Sequence, residues 1–512
     1  MLVQDFLHNS AERWPDKVAL VCGGQRVTYA ELDAMANRLA NALLGQGVAR
    51  GDRVVVHLEN SVETVVSIFA ALKASAVCVP VSPKTKPVKL SYILNNCQAA
   101  ALVTGARTDI GGLWAGAPSL RAAVVVSKET AGACNPSNRC FTFADLQHAF
   151  GPSRPRQRGI DLDLACLVYT SGSTGHPKGV MCDHGNIVFA AHSIMGYLGS
   201  REDDVVIGVL PLSFSYGLYQ VFMTLGCGGT LVLEQSFTYI AEVLQHIEQE
   251  RVTGLPGVPS LFAMLLQMDL SPYDLRSLRY ITNAAAALPA RHIQELRTRF
   301  PQAKLYSMYG LTETKRALYL PPDQLDRRPE SVGIAIPGTE VWLEDPDGNR
   351  VGPDEIGELV VRGRHVMRGY WNAPQETARR FRPGPLPGER VCHTGDLFRM
   401  DSGGYMYFVG RTDDIINSRG HKVAPKEVEN VLYELDGVVE ATVVPVPDPV
   451  LGQAIKAVVA VNGRPITQAE VFAHCREHLD DYMVPKYVEF RGELPKTASG
   501  KIDRRELIAS RS

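Results

Sequence analysis

The sequence predicts an α/β fold: a large N-terminal domain of mostly parallel sheets flanked by helices plus a small β unit, followed by a smaller α+β C-terminal domain. Three observations carry this. Strand-like and helix-like stretches alternate from residue 28 onward, an antiparallel β pattern takes over from about Ser331 to Tyr370, and short strands with a new helix begin after Gly410-Arg411. Alternation of the first kind favours parallel strands covered by helices.

The first helix opens at Thr28-Tyr-Ala-Glu31, which has capping-box spacing. Leu32, Met35, Ala36, Leu39 and Leu43 then recur at helical intervals until Gly45 and Gly47. Asp52 to His57 is a short apolar run suited to a buried strand, Val62 to Leu72 is helix-like, and Ala76 to Val81 is strand-like again. Gly151-Pro-Ser-Arg-Pro-Arg-Gln-Arg lacks any period and reads as an exposed connector before a strand at Ala165 to Tyr169. Thr339 to Glu344 and Gly357 to Arg362 flank the turn signal Asp345-Pro-Asp-Gly-Asn349, as in a hairpin. Near the C-terminus, strands at Ala441 to Val446 and Ala454 to Val461 precede a helix opened by Thr467-Gln-Ala-Glu470, a second capping-box spacing.

At 512 residues the chain exceeds one ordinary domain. With 45% hydrophobic and 21% charged residues and a formal net charge of -2, it is ordinary for a soluble globular protein and carries no broad electrostatic footprint for nucleic acid. The 10 cysteines are scattered singly, which favours reduced packing thiols over a disulfide framework or zinc site. No secretory pattern opens the chain. The most apolar run, Val65 to Val81, is interrupted by Lys73 and is too amphipathic to span a membrane, so a cytoplasmic protein is expected.

Leu167-Val-Tyr-Thr-Ser-Gly-Ser-Thr-Gly-His-Pro-Lys-Gly-Val180 is a strand running into a loop able to wrap phosphates. Glycine lets backbone N–H groups turn inward, hydroxyls add donors, and Lys178 adds positive charge. It is not a Walker A loop, since Gly179 follows the lysine. A bare Gly/Ser/Thr stretch reads equally well as a flexible surface loop. The whole string, however, resembles the signature of the adenylate-forming superfamily of acyl-CoA synthetases, non-ribosomal adenylation domains and luciferases. Tyr306-Ser-Met-Tyr-Gly-Leu-Thr-Glu-Thr314, His393-Thr-Gly-Asp396, Tyr407-Phe-Val-Gly-Arg-Thr-Asp-Asp414 and Pro495-Lys-Thr-Ala-Ser-Gly-Lys501 resemble further motifs of that family in the same order.

The resemblance implies the following roles. Thr170, Ser171, Gly172, Ser173, Thr174, Gly175 and Lys178 hold the phosphates of ATP. Tyr309 stacks on adenine, beside Gly310 and Thr312. Asp396 accepts from the ribose hydroxyls, assisted by Arg411. Glu313, with Thr170 as a neighbouring oxygen donor, holds Mg²⁺. Lys501 is the catalytic lysine, acting with Glu313 and Lys178. The domains are then residues 1–411 and a mobile 412–512, with a hinge near Asp413 that presents Lys501 for adenylation or the loop Gly420, His421, Lys422 for thiol attack.

The match also outlines an acyl pocket of Phe214, Ser215, Tyr219, Asn283, Ala284, Ala285, Met308, Arg316 and Ala317. Phe214 stands where acyl-CoA synthetases commonly carry His, a departure that leans toward carrier-protein ligases. Ser215 stands where amino-acid activators keep an Asp, and a hydroxyl cannot pair with an ammonium. Arg316 is either a partner for an acidic substrate tail or a structural ion-pair residue. The expected function is AMP-forming acid–thiol ligation: a small carboxylic acid plus ATP gives acyl-adenylate and pyrophosphate, and the acyl group then passes to CoA. The alternative acceptor is the phosphopantetheine arm of a separate carrier protein. A luciferase-like oxygenase and a non-catalytic binding module are further alternatives.

Overall fold

The computed structural model describes residues 1–106, 108, 110–126, 139–170, 177–412, 414–418, 421–448, 452–462, 466–497 and 500–509. The first helix, Tyr29–Gly45, starts as its sequence requires: the Thr28 hydroxyl accepts from the Glu31 amide while the Glu31 carboxylate accepts from the Thr28 amide. Its Leu32, Ala36, Leu39 and Leu43 face is fully buried. The chain leaves the helix through Gly47 at φ +82, where a side chain would be strained.

Among the described residues the large domain holds two sheets. The 7-stranded sheet runs Cys140–Thr142, Ala122–Val126, Ala99–Gly105, Arg53–His57, Val77–Pro80, Leu164–Thr170, Lys178–Asp183, and only its last pair is antiparallel. The 14-stranded sheet has a parallel core of Val18–Cys22, Thr230–Leu233, Val205–Gly208, Gly254–Gly257, Tyr280–Asn283 and Lys304–Tyr309. The hairpin Thr339–Glu344 with Ile356–Gly363 forms as expected, but not as a separate unit. Through Arg390–Met400, Met406–Arg411, Ser331–Ala335 and Leu318–Tyr319 it is hydrogen-bonded into this same sheet.

The smaller C-terminal domain has its own 5-stranded sheet, centred on the long antiparallel pair Val438–Asp448 and Gly452–Val461. Helices Pro425–Glu434 and Gln468–His478 cover it, the second opened by the Thr467/Glu470 capping box. Ile416, Val428, Leu432, Val443, Ile455 and Val459 make a core separate from that of the large domain. Eight described cysteines are free, in line with packing roles, whereas Cys140 is in a disulfide, against the expectation of thiols throughout. No helix among the described residues is long and apolar enough to cross a membrane.

Candidate active site

Parallel strands converge their carboxyl ends on one cleft, the usual place for a ligand in an α/β sheet. Asn283 ends one strand opposite Gly257 and Ser307. The next strand ends at Tyr309, and the chain makes a tight excursion before Leu318 pairs back on Tyr309. Gly310 permits this turn, because a Cβ there would lie 1.5 Å from the Lys315 carbonyl oxygen. The excursion buries Glu313, Thr314, Lys315, Arg316 and Ala317 and leaves Thr312 half-buried.

Glu313 Oε1 accepts a 2.6 Å hydrogen bond from the Tyr370 hydroxyl, and its carbonyl accepts from the Met367 amide at 2.9 Å. Burial, and then the Glu313 charge, push the Tyr370 phenol well above its ordinary pKa. The Glu313 carboxylate is a hard oxygen donor whose Oε1 already accepts from Tyr370. Such a donor fits Mg²⁺, which takes one or two carboxylates and completes its shell with phosphates and water.

Asp396 lies on the strand Arg390–Met400, directly opposite Arg411. Its Oδ2 accepts from the Tyr309 hydroxyl at 2.6 Å, and the buried Oδ1 has no hydrogen-bond partner, with Arg411 Nε 3.4 Å away. Burial raises the Asp396 pKa, opposed by Arg411, the Tyr309 hydrogen bond, Arg380 and Lys501. The Tyr309 ring meets Phe398 edge-on at 4.9 Å and Phe408 at 6.5 Å.

Thr170 and Lys178 face each other across the antiparallel pair at the base of the predicted phosphate loop. Ser171, Gly172, Ser173, Thr174 and Gly175 lie outside the described residues. Lys178 Nζ makes a 2.6 Å ion pair with Glu376 Oε2 and lies 5.7 Å from the Tyr370 ring centre. That hydrogen bond holds the Glu376 carboxyl below its ordinary range.

From the small domain, Gly500 docks at φ +79 against Phe237 and Val258, and its carbonyl accepts from Ser260 Oγ at 2.8 Å. Lys501 is thereby aimed inward, with Nζ 6.0 Å from the Phe214 ring centre. The residue as a whole is exposed, and its ammonium lies toward the Asp396 and Glu313 carboxylates. There, removal from bulk water and the Arg411 charge lower its pKa against the opposing pull of Asp396 and Glu313. Hinge residue Asp413 and Gly420 lie outside the described residues. Lys422 is in the strand His421–Val423, and the His421 ring stacks on Tyr482 at 4.2 Å.

The acyl side is built on the helix Ser215–Gly226, which starts hard against Leu210 and Pro211. A Cβ at Gly217 would lie 2.5 Å from the Pro211 carbonyl oxygen. Phe214 precedes the first turn, half-buried, and Ser215 is buried at its start. Tyr219 is fully buried and its hydroxyl has no partner. Asn283 Nδ2 donates to the Ala286 carbonyl at 2.9 Å, Ala284 is buried, and Ala285 turns the chain at φ +79. Met308 Sδ accepts from the Tyr197 hydroxyl at 2.9 Å, while the Ala317 amide closes back on the Tyr309 carbonyl at 2.9 Å. The Arg316 guanidinium lies 4.1 Å over the Tyr216 ring.

Several residues of this cleft had no motif to mark them: Tyr370, Glu376, Arg380 and Lys315. Burial works against the Arg380 charge, but the Glu313 and Asp396 carboxylates hold it above its ordinary pKa; its Nε has no partner and Nη1 crowds Gly395. The basic spacing around residues 368–382 was the available signal. A separate cavity of about 1090 Å³, lined by Asp183, Arg362, Arg364 and Arg368, contains none of the expected site residues. Its arginines are ion-paired to Asp183, Glu340 and Glu389.

The fold thus brings toward one another the buried Glu313, the Asp396/Arg411 pair and Lys501 of the C-terminal domain, an arrangement suited to a nucleotide-dependent ligase. The family model described as AMP-binding enzyme matches residues 7–371, and the one described as AMP-binding enzyme C-terminal domain matches residues 427–501. The chain belongs to the AMP-binding enzyme family. A long-chain-fatty-acid–CoA ligase of Bacillus subtilis (strain 168) is 32% identical over 99% of this chain and 94% of its own length. A feruloyl-CoA synthase of Amycolatopsis sp is 35% identical over 96% of each. The crystal structure of the anthranilate CoA ligase AuaEII in complex with anthranoyl-AMP superposes with a TM-score of 0.91 at 28% identity, covering 99% of this chain and 96% of that one. The chain is an AMP-forming acyl-CoA synthetase, an acid–thiol ligase using ATP, Mg²⁺ and CoA.

Proposed function

We propose that the acid activated is a carboxylic acid without an α-ammonium group, and that the cleft carries out its adenylation with the residue roles that follow. Attack of the carboxylate on the α-phosphorus places negative charge on phosphoryl oxygens and on departing pyrophosphate. Positioned cations and donors therefore do most of the work, and no covalent protein nucleophile is needed. Lys501 supplies one such cation, and the observation that carries the reading is its entry from the C-terminal domain, Gly500 seated on Ser260 and Nζ 6.0 Å from the Phe214 ring, within the field of Asp396 and Glu313. Asp396 takes the ribose hydroxyls on its unsatisfied Oδ1, with Arg411 alongside. Tyr309 borders adenine. Glu313 and Thr170 hold Mg²⁺, which when bound neutralises phosphate charge, and Lys178 exchanges Glu376 for a phosphate. After adenylation, rotation of residues 412–512 about Asp413 withdraws Lys501 and brings Gly420, His421 and Lys422 toward the thiol.

Buried Ser215 offers a neutral hydroxyl at the start of its helix, so an ammonium there would lose water without gaining a carboxylate. ATP–pyrophosphate exchange across fatty, aryl and amino acids tests the reading. Exchange is expected with simple acids; strong exchange with a standard α-amino acid and none with the others overturns it. Ser215→Asp should slow exchange with an apolar acid, and an unchanged rate removes Ser215 from the pocket. Thioester assays with CoA and with a carrier protein bearing an unacylated phosphopantetheine thiol separate the two acceptors.

A further inference from the structure

Arg316 is 4% exposed and Lys315 3%, on adjacent positions of the Glu313 excursion. Neither has an ion-pair partner among the described residues; Arg316 Nε and Nη2 and Lys315 Nζ also lack hydrogen-bond partners. Apart from the buried Cys182 thiol near Lys315, what they face is aromatic. Arg316 lies 4.1 Å over Tyr216, and Lys315 Nζ lies 5.4 Å from the Tyr219 ring centre. Tyr216 and Tyr219 are three residues apart on the helix Ser215–Gly226, hence on one face, the face that begins beside Phe214 and Ser215. Cation–π attraction recovers only part of the hydration that a buried charge gives up. Two adjacent buried cations without a carboxylate therefore leave a local excess of positive charge within the acyl pocket.

The unsatisfied atoms of Arg316 define the missing ligand. Nε and Nη2 are the two donors along one edge of the guanidinium fork, and that edge matches the two oxygens of a carboxylate side-on. The Tyr219 hydroxyl, also unpartnered, adds a donor on the same helix face. We propose that the pocket recognises a second carboxylate on the acyl substrate, so that the enzyme activates one end of a dicarboxylic acid while Arg316, supported by Lys315 and Tyr219, holds the other. This deepens the reading of the site as an acid-activating pocket and rests on it.

The experiment measures ATP–pyrophosphate exchange with straight-chain and aromatic dicarboxylic acids, each paired with its own monomethyl ester. A pocket built around a polar partner rejects the analogue lacking it strongly, so the best diacid should exceed its ester by at least about a hundredfold in kcat/KM. Arg316→Met should abolish that preference, and Arg316→Lys should retain part of it. Arg316→Met should also raise the melting temperature of the free enzyme by removing an unpaired buried charge, whereas a purely structural arginine would lower it. Equal use of diacid and ester by wild type overturns the proposal while leaving acid activation intact. An equal loss for every acid through a higher KM for ATP assigns Arg316 to the nucleotide and overturns it as well. Exchange with none of the acids removes the acid-activating reading itself.

Discussion

Asp396 shows a single side chain held in a costly state. It is 4% exposed, one oxygen is satisfied by Tyr309, and the other has no donor. Hydrogen bonds to a charged acceptor contribute about 1.5–3 kcal/mol, so Asp396→Ala should weaken ATP affinity by about one to two powers of ten in a direct titration. Wild-type affinity would leave Asp396 a structural partner of Tyr309 and Arg411. Its raised pKa gives a second test with a defined sign. An acid whose folded pKa lies above its unfolded value of about 3.9 costs the free enzyme nothing at lower pH, and stability is lost as pH rises toward the folded pKa. The nucleotide-free Asp396→Asn protein should therefore match wild type in stability at acid pH and exceed it increasingly as pH rises through that window. A gap that closes with rising pH would contradict the burial argument.

At the scale of elements, the capped helices and the strand alternation were legible because capping and periodicity are local properties. Both capping boxes formed at Thr28 and Thr467, and strands fell within a few residues of their apolar runs. The motif residues Tyr309, Glu313, Asp396, Arg411 and Lys501 were legible for another reason: each sits in a string specific enough to be recognised whole. Tyr370, Glu376 and Arg380 were not, because their meaning depends on which carboxylate or lysine the fold brings to them across 57 or 198 positions of sequence. The continuity of the hairpin with the large sheet was hidden likewise, since strand pairing of this range leaves no periodic trace. Gly310 illustrates the difference, reading as motif in the sequence and as steric necessity in the fold. Gly310→Ala would drive a methyl into the Lys315 carbonyl, displacing the turn that carries Glu313, Lys315 and Arg316. Unfolding in denaturant should show a loss of at least about 2 kcal/mol, with activity falling further than stability alone accounts for. A variant with wild-type stability and activity would mean that the excursion can relax without moving its cations.

For the whole molecule, the question is how firmly the small domain is held in its present position. Its core is its own, and among the described residues its contacts with the large domain are mixed: hydrogen bonds of Ser260 to Gly500 at 2.8 Å, Asn430 to Glu330 at 3.3 Å and Asn462 to Gln267 at 3.3 Å, the exposed ion pair of Arg291 with Asp436 at 3.1 Å, the edge-on rings of His292 and Tyr433 at 5.9 Å, and Gly500 against Phe237 and Val258. The exposed Arg291–Asp436 pair contributes about 0–1 kcal/mol, so it adds little to holding the docked position. On the proposed reading, this is the position in which Lys501 would serve adenylation. Lys501→Ala should cost at least about 2.7 kcal/mol of transition-state stabilisation in adenylate formation, a hundredfold in rate, by analogy with loss of one preorganised donor. Supplied with synthetic acyl-adenylate and CoA, the same variant should form thioester at nearly the wild-type rate, because that step does not use the docked lysine. Asp413→Pro, which fixes φ at the proposed hinge, should give the opposite split, sparing adenylation and slowing thioester formation. Ser260→Ala removes only the hydrogen bond that seats Gly500 and should slow adenylation modestly while leaving thioester formation from synthetic adenylate unchanged. Equal defects of folded Lys501→Ala in both half-reactions, or intact rates in Asp413→Pro, would show that one fixed arrangement performs both steps.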